Sequence, residues 1–121
     1  MSVWPVSPGP VSVDRAGLEL GQFLGYLSRR QEIIASNIAN ADTPGYKTRD
    51  VEPPADFASA MTDAAVIEAP DLPARNDGNN VSIDREARLL AENTIRFNVT
   101  AQLIRSELRR VRSAIEEGRS S

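Results

Sequence analysis

Eight prolines divide this 121-residue chain unevenly. Three fall within residues 1–10, Pro44 stands alone, and Pro53, Pro54, Pro70 and Pro73 crowd the middle. None falls in 14–42 or 74–121. Proline breaks helix interiors, so those two tracts are free to hold long helices. The first reads as a helix from an N-cap at Asp14 to about residue 42. The second reads as a helix from an N-cap at Ser82 to about residue 117, with Asp84 and Glu86 complementing the helix dipole.

Both tracts place apolar residues in alternating steps of four and three. The first stripe is Leu20, Leu24, Leu27, Gln31, Ile34, Ile38 and Ala41, with Gln31 its polar member. The second is Ile83, Ala87, Leu90, Thr94, Phe97, Ala101, Ile104, Leu108, Val111 and Ile115. No charge falls on either stripe. A 4-3 repeat sustained this long is a coiled-coil pattern. The expected fold is mainly α: two long terminal helices, 14–42 and 82–117, forming a coiled-coil-like hairpin. A proline-rich extended segment, 1–13, precedes it. A turn and small irregular segment with room for some β structure, 43–80, joins the helices. Within that segment Phe57 to Met61 reads as a short helix or strand, and the whole is expected to be mobile or docked on a partner, being long for a structureless connection.

Two further patterns have alternative readings. Ala91, Ile95, Val99 and Leu103 form a second apolar row that diverges from the main stripe. A helix apolar on more than one side expects more than one neighbour; the other reading is scatter on a surface helix. Gly17, Gly21 and Gly25 recur every four residues, each costing a helix ~1 kcal/mol against alanine. They either admit a close backbone or mark a frayed start.

Composition narrows the chemistry. The chain has no His and no Cys, and Lys47 is its single lysine. Imidazole catalysis, thiolate nucleophiles and the usual zinc ligands are therefore missing, and no enzyme, cofactor or metal site is expected. A net charge of -3 argues against a nucleic-acid binder. Arg105, Arg109 and Arg112 share part of a helix face, but Glu107, Glu116 and Glu117 interrupt it. No 18-residue apolar run is present, and no direct lipid contact is expected. Asp84 with Arg88, or Glu92 with Arg96, fits an i,i+4 ion pair better than a catalytic dyad. The stretch from Asp71 to Asp84 fails as a calcium loop, because Pro73 takes the first ligand place and Asp84 replaces the terminal glutamate.

The densest information lies in Ala35-Ser-Asn-Ile-Ala-Asn-Ala-Asp-Thr-Pro-Gly-Tyr46. Pro44 pushes Thr43 out of helical angles, and Thr43-Pro-Gly-Tyr46 is a type II turn signal. The first helix must stop near Asp42. Asn37 and Asn40 share a face, and their amides can bond the helix-end carbonyls or the turn backbone. Helix stopping and capping explain these residue types, though not the particular string.

Residues 35–50, ASNIANADTPGYKTRD, resemble the N-terminal signature of the bacterial flagellar basal-body rod proteins. The loop Asp77-Gly-Asn-Asn-Val81 and the stretch from Leu90 to Phe97 with the helix after it are similar to the same family. Together the resemblance covers roughly 14–51 and 77–117. It implies a structural subunit of the periplasmic rod, exported by the flagellar type III apparatus without a cleaved leader and assembled helically to transmit torque. Implied partners are other copies, other rod subunits, the adaptor joining rod to MS ring, and the export gate. On this reading the assembly seam is Leu20, Leu24, Leu27, Ile34 and Ile38 with Leu90, Phe97, Ile104, Leu108 and Val111. The signature turn is Asn37, Asn40, Asp42, Thr43, Pro44, Gly45 and Tyr46. A stand-alone helical adaptor or export chaperone is the competing reading; it shares the heptads but has no need of the 35–46 string.

Overall fold

The computed structural model describes residues 8–52 and 65–120. Its elements run α1 (Pro8–Ala39), β1 (Arg49–Val51), β2 (Val66–Glu68) and α2 (Ile83–Ser120). The mainly helical hairpin expected from the sequence is observed, with a two-stranded antiparallel sheet in the connection. At 1.5 Å per residue the helices are roughly 48 and 57 Å long. The expected element from Phe57 to Met61 lies outside the described residues.

Helix α1 departs from its expected limits at both ends. It starts at Pro8, so Asp14 sits inside it instead of capping it, and residues 8–13 are helical where an extended segment was expected. Pro8 and Pro10 fall in the first turn, where a missing N–H breaks no intrahelical bond. The helix stops at Ala39, ahead of the Pro44 turn. Nothing lies within 4 Å of where a Cβ would stand on Gly17, Gly21 or Gly25, and the helix runs unbroken through all three. In α2, Ser82 caps as expected: its Oγ accepts from Arg85 N at 3.3 Å and its carbonyl from Glu86 N at 2.9 Å. That helix runs three residues past its expected end. Of the ion pairs considered, Arg88 instead reaches Glu92, at 3.8 Å.

The sheet packs on one flank of α1. Tyr26, Leu27 and Val51 form a small core, with Phe23, Ile33 and Phe97 against it. The Phe23 and Tyr26 rings stack at 5.9 Å. Arg30 clamps Asp50 through two bonds, Nε to Oδ1 at 3.0 Å and Nη2 to Oδ2 at 3.1 Å, tying helix to strand. Burial alone would lower the Arg30 pKa, but the bonds and charge of Asp50 outweigh it and hold the guanidinium above its ordinary value. Burial pushes the Tyr26 hydroxyl up.

Candidate functional site: an asparagine clasp and the two faces of the hairpin

The Pro-Gly turn forms as its chemistry dictates. Tyr46 N donates to Thr43 O at 3.2 Å, and Gly45 takes the third place with φ at 76°. Around it the signature polar groups are spent on the backbone and on one another. Asn40 Nδ2 bonds Ser36 O at 2.9 Å, and its Oδ1 accepts from Thr43 Oγ1 at 3.0 Å. Asn37 is fully buried and uses all its capacity. Its Nδ2 donates to Arg49 O at 2.8 Å and Glu86 Oε1 at 2.7 Å; its Oδ1 accepts from Arg49 N at 3.0 Å and Tyr46 OH at 3.1 Å. One side chain thus joins α1, the turn, β1 and α2. Asp42 and Pro44 are exposed on the outside of the turn.

The loop 75–81 closes over this turn from the other side. Gly45 N donates to Asp77 O at 2.8 Å, and Lys47 Nζ to Gly78 O at 2.6 Å. Buried Asn79 donates to Asn40 O at 2.9 Å and Thr43 O at 2.8 Å, and its Oδ1 takes Val81 N at 2.8 Å. Asn80 Oδ1 accepts from both Thr48 N (2.6 Å) and Thr48 Oγ1 (2.8 Å). Arg75 bridges Ala41 O and Val81 O. The last carbonyls past α1 are therefore capped by side chains from 34 to 39 residues away. Gly78, with φ at 86°, lies so near that a Cβ on it would stand 3.3 Å from Gly45 Cα. Where the sequence suggested a segment mobile or docked on a partner, its described part from 65 to 81 docks on the chain's own turn. Arg75, Asn79 and Asn80 were missed as site residues; the polar run Asp77-Gly-Asn-Asn80 was their only local signal.

The second candidate surface is the helix pair. Leu27 and Ile34 are buried, and Leu20, Leu24, Ile38, Leu90, Phe97, Ile104 and Val111 are half-buried. Leu108 is 59% exposed, so its expected place in the seam between the two helices needs correction. The reason is a rotation of α2. The row Leu90, Phe97, Ile104, Val111 does face α1, but its inward companion is Glu86, Asn93, Thr100 and Glu107, a heptad row of polar residues. The expected companion row turns outward in the main: Ala87, Thr94, Leu108 and Ile115 are exposed, and Ala101 is half-buried. Directional bonds fix this rotation. Besides Glu86 on Asn37, Asn93 Nδ2 donates to Leu27 O at 2.9 Å and Gln31 Oε1 at 2.7 Å. Thr100 satisfies its hydroxyl on Arg96 O at 2.7 Å. The buried Asn93 Oδ1 and Glu107 Oε2 accept no hydrogen bond among the described residues. Outside this seam Ile95, Val99 and Leu103 are each more than half exposed.

Among the described residues no three carboxylates, histidines or cysteines gather to hold a metal ion, and no helix is long and apolar enough to cross a membrane. A turn knotted to a distant loop through buried Asn37 and Asn79, beside a helix with unused apolar rows, defines a structural interaction protein. Comparison with known proteins gives the class a family. Residues 26–47, spanning the Asn37 knot, match the family model described as flagella basal body rod protein. The chain is 32% identical to the flagellar basal body rod protein FlgB of Salmonella typhimurium, over 78% of this chain and 88% of that one. It is 30% identical to FlgB of Escherichia coli K12 over the same shares, and 24% identical to FlgB of Bacillus subtilis over 74% and 84%. The chain belongs to the flagellar basal-body rod protein family.

Proposed function

We propose that this chain is a proximal subunit of the rod, exported unfolded by the flagellar type III apparatus and stacked helically so that the rod carries torque. The observation that carries this reading is the division of α2: one apolar row packs inside the hairpin while others lie bare. The chain's surface supports it. Ile95, Val99 and Leu103 are each more than half exposed, and Leu108 and Ile115 are 59% and 57% exposed. Seam residues that are only half-buried, Leu20, Leu24, Ile38, Leu90, Ile104 and Val111, gain the rest of their burial from neighbouring subunits. Folding is completed by assembly, since the intramolecular core is small and the glycine-bearing helix is weak alone. Other copies and other rod subunits are the lateral partners; the MS-ring adaptor and the export gate lie at the rod base.

Deleting the gene and restoring it on a plasmid tests this. The deletion strain is expected to be non-motile with basal bodies that lack a rod, and the tagged chain to co-purify with intact basal bodies. A motile deletion strain, or a chain absent from purified basal bodies, rejects it. Circular dichroism across concentration separates the adaptor reading: a rod subunit gains helix as concentration rises, whereas a cooperative, fully helical monomer at low concentration favours the adaptor.

A further inference from the structure

The hairpin carries two complementary features on opposite sides. One is a groove of about 400 Å³ between the helices, lined by Ser28, Gln31, Glu32 and Ala35 of α1 and by Thr94 and Phe97 of α2. Its α1 wall is low, because Gly21, Ser28 and Ala35 succeed one another at heptad spacing. The other is the ridge Ile95, Val99 and Leu103, with exposures of 64%, 54% and 51%. Steps of four make this an i±4n ridge, the kind of row that packs against another helical surface. At 3.6 residues per turn the ridge centres roughly 170° around α2 from Thr94 and Phe97.

Charge is complementary as well. Arg96 flanks the ridge, while Arg88 before its start pairs with Glu92 and Glu107 stands one turn past Leu103. Glu32 stands on the groove wall with no ion-pair partner among the described residues, and Arg96 has none either. We infer that the ridge Ile95-Val99-Leu103 of one copy seats in the groove between Ser28 and Phe97 of a second copy of this chain. The contact is heterologous: each copy offers the complement of what it needs, on the far side. Such contacts do not exhaust themselves in a dimer but continue as an open chain or helix. The inference rests on the reading of the chain as a rod subunit and adds which faces meet.

The chain has no cysteine, so crosslinking can test it cleanly. Cells make the full chain as Ser28→Cys, as Val99→Cys, or with both changes. Basal bodies are purified, oxidised and run on a non-reducing gel. The double variant is expected to lose its monomer band to a ladder of multimers, with both single variants staying monomeric. Dimers from Val99→Cys alone mean back-to-back pairing and overturn the inference. Chain present in basal bodies without a ladder overturns it too and leaves the rod reading standing; wild-type chain absent from basal bodies removes the rod reading itself. Ala35→Cys with Ile95→Cys is a second pair across the same contact and answers if the first is not incorporated.

Discussion

Asn37 Nδ2 lies 2.7 Å from Glu86 Oε1, a bond that spans 49 residues and joins the end of the first helix to the start of the second. Both side chains are fully buried. Glu86 Oε2 is held in turn by Arg85 at 2.6 Å. The hairpin is thus closed at its turn end by a polar contact, with hydrophobic packing beginning one helical turn further along.

Replacing Asn37 by Ala strands the Arg49 backbone and Glu86 Oε1. Buried polar groups left unpaired cost about 1–3 kcal/mol each, so a total loss of about 3 kcal/mol is expected. Asn37→Asp is expected to do worse, because it removes both donors and sets a carboxylate against Glu86. Urea unfolding of the two variants at one fixed concentration, followed by circular dichroism, measures both; an Asp variant as stable as wild type would contradict the bonding described.

Gly78→Ala tests the clasp. The positive φ and the approach to Gly45 Cα both disfavour a Cβ. A loss of more than about 1 kcal/mol is expected. Hydrogen exchange should localise the damage, with faster exchange at Gly45 N and Thr48 N and little change in mid-α2.

Phe97 and Leu108 separate packing inside the hairpin from packing between subunits. Phe97→Ala empties a half-buried site against the Tyr26 core, so its cost should approach the lower end of the ~3–5 kcal/mol seen for buried rings. Leu108→Ser touches an exposed side chain and is expected to leave the monomer's helix content unchanged while reducing swimming on soft agar. Ile104→Asp, which sets a carboxylate in the seam, is expected to abolish swimming without lowering expression.

Alkaline pH should weaken the fold through Tyr26. Its folded pKa is raised above the ordinary 10.0 by burial, so the folded state keeps its proton where the unfolded state loses it. The resulting contribution is complete below pH 10 and declines as pH climbs through the folded value. Tyr26→Phe is expected to flatten the fall in stability above pH 10, measured by urea midpoints at several pH values. An unchanged slope in that variant rules the tyrosine out as its source.

Local chemistry made parts of this molecule readable in advance. Pro44 and Gly45 specify their turn without help from the rest of the chain, and the proline-free tracts announce the helices. The start of α1 was hidden because proline is harmless in a first turn and damaging later, so Pro8 and Pro10 look like breakers. The rotation of α2 was hidden for a different reason. Glu86, Asn93, Thr100 and Glu107 obey the same heptad spacing as the apolar stripe, and their partners on the first helix, Asn37, Leu27 O and Gln31, decide which row turns inward. Three-residue strands such as Arg49–Val51 are too short to show alternation. The caps from Arg75, Asn79 and Asn80 depend on tertiary proximity that no periodicity encodes.

Beyond the strands, Glu52 N donates to Ala65 O at 2.8 Å, which holds these two points of the connection side by side like the jambs of a doorway. A chain segment between ends held like this can lengthen cheaply, since doubling a loop's length between fixed ends costs only about 0.6 kcal/mol of closure entropy. A relative could graft an entire extra domain there and keep the same helical stem, which makes this short connection a natural socket for outward diversification.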